Sequence, residues 1–266
     1  MRPRAAIFVF HDVVPAEQLA SVPATHRPYV LDPDAFRTLL LAASTGRRHA
    51  VTVSRIPGEL GGAFFALTFD DGRASDYTEV FPVLREAGLR ATFFIVPTLV
   101  DTAGHVTWGQ LREMVASGME VGSHSLTHPF VHRLGPSALE REFGDSKAIL
   151  EDRLGAPVRA ASLPRGWAPP GIEAVLASLG YRVFCTSRVG WWHPGDRPLA
   201  MPRVGVRHGM LVEEFAAILN AEPRALWRLQ AVEAAKNAAK ACLGVTRWQR
   251  LRAPLLARRY GQGSKA

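Results

Sequence analysis

The stretch "ALTFDDG", residues 66–72, sets two adjacent carboxylates, Asp70 and Asp71, at the end of an apolar, β-branched run and directly before a glycine. Like charges this close raise each other's proton affinity, and burial raises it further, so the pair calls for a cation or a proton. A second group stands at "SHSLTH", where His124 and His128 lie four residues apart after another apolar run. If the chain turns helically there, that spacing puts both imidazoles on one face, able to grip one ion. Two imidazoles and one carboxylate make a facial ligand set that leaves coordination positions free for water and substrate. One aspartate then serves as the third ligand, and its unbound neighbour can take a proton from water. Read alone, the aspartates also suit a turn or a helix N-cap, and a lone HxxxH also suits surface histidines. It is the pairing of the two groups, each after a strand pattern, that points to a metal centre.

The elements that would carry these residues alternate. "AAIFVF", "HAVTVS", "FFALTF", "ATFFIV", "MEVGSHS", "VRAASL", "YRVFCTS" and "MPRVGV" read as strands. Between them, Asp32 or Asp34 caps "DPDAFRTLLLAAS", and "SDYTEVFPVLREAG" reads as a helix disturbed at Pro82 and stopped by Gly88. Thr107 caps "WGQLREMVAS", Ser137 caps a helix running to about Leu154, and "IEAVLASLG" and "LVEEFAAILN" complete the helical set. About seven β/α units of this kind predict an α/β barrel or a doubly wound sheet, with chemistry at the carboxyl ends of the strands in either case.

The chain has 266 residues, 47% of them hydrophobic, enough for one sizeable core. Its two cysteines, Cys185 and Cys242, are far apart in apolar surroundings, which argues against a disulfide framework or a Cys-rich zinc site. Any metal must use histidine and carboxylate ligands. The first apolar run, from Ala5, spans six residues, shorter than a signal-peptide core or membrane span, so the expectation is a cytosolic protein. Charge is unevenly placed: residues 224–266 hold ten Lys or Arg and one acid, so this tail carries +9 and the remainder about −1. The expected organisation is a catalytic domain over 1–222 and a basic amphipathic helical tail over 223–266. In the tail, Leu226, Leu229, Val232, Ala235, Ala239 and Cys242 form an apolar stripe, and "RWQRLRAPLLARRY" adds five arginines interleaved with Trp248, Leu251, Leu255 and Leu256. That composition suits a peripheral contact with anionic lipid, at the inner face of a membrane, or a helical lid with a solvated basic face. Nucleic acid has no accompanying recognition motif.

"TFDDG" and "HSLTH", with a βα unit between them, resemble the first and second motifs of the polysaccharide deacetylases with the NodB homology domain, carbohydrate esterase family 4. The resemblance spans about residues 5–210. It implies a distorted, incomplete (β/α)7 barrel, here with a C-terminal basic helical extension, holding one divalent ion, zinc or a similar metal. It also implies metal-dependent hydrolysis of the N-acetyl amide of an N-acetylated sugar in a polysaccharide, oligosaccharide or lipid-linked glycan. By carry-over Asp70 is the general base, and Asp71, His124 and His128 are the metal ligands. A non-acetyl amide such as a formamide or imide, or a catalytically silent carbohydrate-binding protein, are the alternative readings.

Amide hydrolysis also needs an acid to protonate the departing amine, and His11, His193 and His208 are the candidates. His11, in "FVFHDVVP", resembles the "YHxV" start of a subgroup whose acid histidine lies at the N-terminus, and it is the favoured choice. The third motif diverges: "SLPRGW" lacks the family's arginine, so Asp70 is expected to lack the cation that usually tunes it. Pro164 and Gly166 still suit a loop that aims the Arg165 backbone N–H into the site. The Arg165 side chain could bind an anionic part of the substrate, and Trp167, Trp191 and Trp192 could line a sugar groove. The fourth-motif acid is absent from "RVGWWHPGD", with Asp196 nearby.

Overall fold

In the computed structural model the described residues are 4–46, 48–58, 63–244, and then 247, 248, 250, 251, 254, 255 and 258. The strands are β1 (Ala6–Phe10), β2 (Asp12–Val13), β3 (Val30–Leu31), β4 (His49–Ala50), β5 (Phe64–Asp70), β6 (Thr92–Ile95), β7 (Glu120–Ser123), β8 (Ala160–Ser162), β9 (Val183–Cys185) and β10 (Val204–Gly205). The helices are α1 (Pro33–Ser44), α2 (Phe81–Glu86), α3 (Trp108–Ala116), α4 (Pro136–Leu154), α5 (Ile172–Ser178), α6 (Val212–Leu219) and α7 (Trp227–Leu243).

One parallel sheet runs β10-β1-β5-β6-β7-β8-β9, with β4 beside the first residues of β5, and β2 pairs with β3 separately. Each strand returns to the sheet's starting edge through a crossover, so every strand points the same way and all carboxyl ends share one rim. The sheet curls into an incomplete barrel whose edges, β9 and β10, are stitched at one point. There the Met201 N–H donates to the Phe184 carbonyl and the Thr186 N–H to the Met201 carbonyl, both at 2.8 Å.

Alternation along β5 separates two cores. Phe65, Leu67 and Phe69 face the helices, where Phe69 stacks on Phe10 and Phe93. Phe64 and Ala66 face the barrel interior with Ile7, Phe94, Ala160, Val183, Trp192 and Met201, and Thr68 and Asp70 continue that inner column upward. The interior is tight: a Cβ on Gly122 of β7 would lie 2.6 Å from the Phe94 ring.

Local chemistry sets the helix starts. Asp32 caps α1 by accepting from the Asp34 and Ala35 N–H groups, and Thr107 and Gln110 form a reciprocal capping box on α3. Ser137 does not cap α4; Gly135 occupies the cap and Pro136 the first helical position, where a missing N–H costs nothing. Residues 75–88 are not one helix but a π-turn over Asp76–Val80 followed by α2, with Pro82 in its first turn. "HAVTVS" holds strand pairing only at His49–Ala50, because Val53 and Ile56 turn in a 3-10 helix to fill the barrel floor.

α7 is helical as expected. Leu226 is buried, Leu229 packs on the core, Glu233 accepts from the Val189 N–H at 2.7 Å, and Lys240 lies over the Trp167 ring. Val232, Ala235 and Cys242 of the apolar stripe are exposed. A polar loop edge with free N–H groups favours Glu233 on the inner face over a purely apolar stripe. Arg252, Leu256 and Arg259 lie outside the described residues. Among the described residues no helix is long and apolar enough to cross a membrane.

Candidate active site

Asp70 closes the inner column of β5 and is buried. Its two oxygens accept from Nη1 and Nη2 of Arg203, at 2.7 and 2.8 Å, a bidentate grip inside the barrel. Arg203 is itself fully buried, and its Nε and Nη1 also donate to the Thr186 carbonyl and Thr68 Oγ1. The expectation that Asp70 lacks a tuning cation is therefore corrected: the cation arrives from the segment before β10, which the seam hydrogen bonds to β9 fold inward. Burial alone would raise the Asp70 pKa, but the Arg203 charge, with smaller help from His124 and His11, holds it below the usual carboxylate range. The sequence carried a signal for this, an arginine inside the otherwise apolar strand pattern "MPRVGV". A buried guanidinium must find a carboxylate.

Asp71, one residue on, takes a left-handed backbone (φ 82°), which swings its carboxylate out of the column toward β7. Its Oδ1 lies 3.4 Å from Nε2 of both His124 and His128. The segment after β7 does not turn helically. Ser125 and His128 both have positive φ, the Ser125 hydroxyl accepts from the His128 N–H, and Glu142 of α4 accepts from the N–H groups of Leu126 and Thr127. That loop folds His128 back over His124, with ring centroids 5.0 Å apart. Asp71, His124 and His128 each offer one donor atom, all within 4.8 Å of one another, which fits a facial two-histidine, one-carboxylate set for a divalent ion. The groups behind these ligands agree. His124 Nδ1 meets Ser162 Oγ at 2.5 Å, so its Nε2 lone pair is the one left for a metal, and Ser162 in turn donates to Asp70. Burial, then the charge of His124, lower His128 to about 4, against the pull of Asp71, so the imidazole is neutral near pH 7. Burial would raise Asp71, but the hydrogen bond and charge of His124 and the charges of His11 and His128 pull it well below the ordinary value.

Residues 58–184 match the polysaccharide deacetylase family, a stretch that contains both aspartates and both histidines just described. Over that stretch, somewhat under half of its length, the chain is similar to the polysaccharide deacetylases. Bacillus subtilis YxkH, a polysaccharide deacetylase by name, is 28% identical over 153 residues, 58% of this chain and 55% of that protein. A peptidoglycan-N-acetylglucosamine deacetylase of Bacillus cereus is 27% identical over 52% of this chain and 62% of its own length. The matched region thus spans little more than half of these relatives. In fold, the chain resembles the Streptococcus pyogenes deacetylase PplD, solved with acetate, with a TM-score of 0.75 at 22% identity, covering 84% of this chain and all of that one.

The remaining candidates of the deacetylase domain separate by position. His11 follows β1, next to β5, and lies close enough to feel Asp71, Asp70, Arg203 and His124. Its ring stands beside Tyr29, and Nδ1 is buried without a partner among the described residues. Burial lowers its pKa, and the two aspartates oppose that. His208 is exposed, its N–H tied to the Pro28 carbonyl, and His193 pairs with Asp196 on a partly exposed loop, so neither belongs to this cluster. Pro164 is buried and Arg165 takes a left-handed backbone (φ 58°) in a single 3-10 turn, where its N–H lacks an intrahelical acceptor. The Arg165 side chain is already engaged, donating to the His128 carbonyl at 3.2 Å and covering the Phe130 ring at 4.4 Å. Trp167 stays at the rim, 36% exposed, near His132. Trp192 does not. It is buried among Ala5, Phe64 and Met201 at the amino ends of the strands, where its indole fills the barrel floor, opposite the rim that carries Asp70.

Proposed function

We propose that this protein hydrolyses the N-acetyl amide of an N-acetylated sugar in a polysaccharide, oligosaccharide or lipid-linked glycan, with one divalent ion, zinc or a similar metal, held by Asp71, His124 and His128. The observation that carries the reading is the division of labour between adjacent aspartates: Asp71 faces the histidines while Arg203 holds Asp70 ionised beside them. An ion there supplies a Lewis acid for the amide carbonyl and lowers the pKa of water. Asp70 accepts the proton of the attacking water, and the Arg165 N–H, which has no intrahelical acceptor, binds the developing oxyanion. His11 delivers a proton to the departing amine; burial lowers its pKa below the ordinary histidine value, and Asp71 and Asp70 oppose that only in part. Trp167 offers a sugar-stacking surface at the rim. The peptidoglycan relative supports an N-acetylglucosamine polymer as substrate.

The test is acetate release from N-acetylglucosamine oligomers with metal analysis of the same protein. Asp70→Asn should keep its metal and lose about 10²–10⁴-fold in kcat. Equal turnover in both proteins refutes the base assignment.

We further propose that the protein sits in the cytoplasm and touches anionic membrane through its basic tail. Supporting this, α7 turns outward Trp227, Ala231, Ala234 and Ala238, all exposed, with Arg224 and Arg228 beside them. Trp227→Glu should reduce co-sedimentation with phosphatidylglycerol vesicles; unchanged binding rejects the contact.

A further inference from the structure

Four arginines at the other end of the barrel take no part in the site described above. Arg90, Arg159 and Arg182 stand one or two residues before β6, β8 and β9, so parallel strands deliver all three to the amino rim. Arg55 joins them from the 3-10 turn after β4. A cleft of about 290 Å³ opens there, lined by Arg55, Arg90, Arg159, Thr52, Ser54 and Glu120, and Arg55 and Arg182 line a recess next to it. The catalytic rim lies the length of β5 away, ~23 Å at ~3.3 Å per residue.

Among the described residues, none of these four guanidinium groups has a carboxylate within ion-pair distance. Arg90 makes one long bond, 3.5 Å, to the Gly118 carbonyl. Glu120, the cleft's carboxylate, is committed to Ser54 and to Thr92 Oγ1. Glu151, the acid whose charge reaches Arg159, is held by Lys147 and the Val158 N–H. Four cations that outnumber the one carboxylate of the cleft, and form no ion pair with it, repel one another and concentrate a positive potential in a concave surface. Their forked donors match phosphate oxygens bidentately, and the volume is at the small end of the ~300–1,000 Å³ range of ligand pockets.

We propose that this amino-end cleft is a second binding site, for a small phosphate-bearing group such as a diphosphate or a phosphorylated sugar. It stands independently of the deacetylase chemistry, and its occupant contacts Arg55, Arg90 and Arg159, with Arg182 extending the site on one side.

The test is calorimetric titration of the full chain with sodium pyrophosphate, and separately co-sedimentation with phosphatidylglycerol vesicles. Saturable binding is expected, weakened roughly tenfold for each guanidinium removed in Arg55→Gln and Arg159→Gln. Arg37→Gln, an exposed arginine on α1, should bind like wild type. Pyrophosphate binding lost in the cleft variants assigns a soluble phosphate ligand. Vesicle binding lost in those variants but kept in Arg37→Gln assigns a lipid headgroup. No saturable binding, or the same affinity in wild type and both cleft variants, overturns the site. Acetate release from N-acetylglucosamine oligomers should be unchanged in the cleft variants.

Discussion

Arg203 is the residue through which acid–base chemistry can be read most directly. It is the largest influence opposing the burial penalty on Asp70, so Arg203→Met leaves a buried carboxylate whose pKa rises. A base that must be ionised then works only at higher pH, and the acidic limb of kcat/KM should move upward. Arg203→Lys keeps the charge without the fork and should move it less. Breaking a buried pair also costs ~3–5 kcal/mol of stability, so the profile must be recorded on protein shown by thermal unfolding to be folded. An unmoved acidic limb in Arg203→Met would detach the arginine from the base. Ser162 tests the metal side. Its hydroxyl fixes the His124 ring through Nδ1, and Ser162→Ala should weaken zinc binding by ~10–100-fold, measured by competition with a chelating dye.

At the scale of elements, the π-turn at Asp76–Val80 holds an unusual group. The Asp76 carboxyl is fully buried and neither oxygen has a partner among the described residues. Burial, then the charges of Asp12 and Asp71, push its pKa well above the ordinary value, against the pull of Arg73. Asp12 cannot share its load, since it already accepts from Ser75 Oγ and Arg73 Nε. The unfolded chain releases the Asp76 proton near the ordinary value while the folded chain keeps it. Stability is therefore lost as pH rises through that window, by up to ~1.4 kcal/mol per pH unit. Asp76→Asn removes the titration: it should raise the melting temperature at pH 7 to 8 and leave it nearly unchanged near pH 3. The same loop scale decides the position of the candidate metal ligands. His128 reaches the site through left-handed Ser125 and His128 and the Glu142 clamp, so Glu142→Gln should loosen the loop and lower metal affinity, read by the same dye competition.

At the scale of the whole molecule, α7 belongs to the barrel as well as to the tail. Leu226 is buried in the core and Glu233 ties the loop after β9, so cutting the chain at 224 should lower the melting temperature by several degrees. Point changes on the outward face, such as Trp227→Glu, test lipid contact without that penalty; a truncation with unchanged stability would show that α7 only rests on the surface. The barrel's polarity separates its two ends. Carboxylates and imidazoles occupy the carboxyl rim, arginines the amino rim, and Trp192 seals the floor between them.

The strand endings were legible because parallel strands buried on both faces read as apolar runs, and charged residues at such an ending stand out: Asp70, Asp71, His124 and His11 were all found this way. The alternation that sends Asp70 inward is fixed by the pleat and needs no tertiary information. Which long-range partner meets that side chain does. Arg203 is 133 residues away, and the seam between β9 and β10, not local spacing, brings it to Asp70. For the same reason the four-residue spacing of the histidines misled about a helix, Trp192 was misplaced at the rim, and the bond from Glu233 to the loop after β9 was not legible. A backbone in left-handed geometry, a floor to be filled and a loop edge seeking an acceptor are properties of the packed barrel, and only its closure decides them.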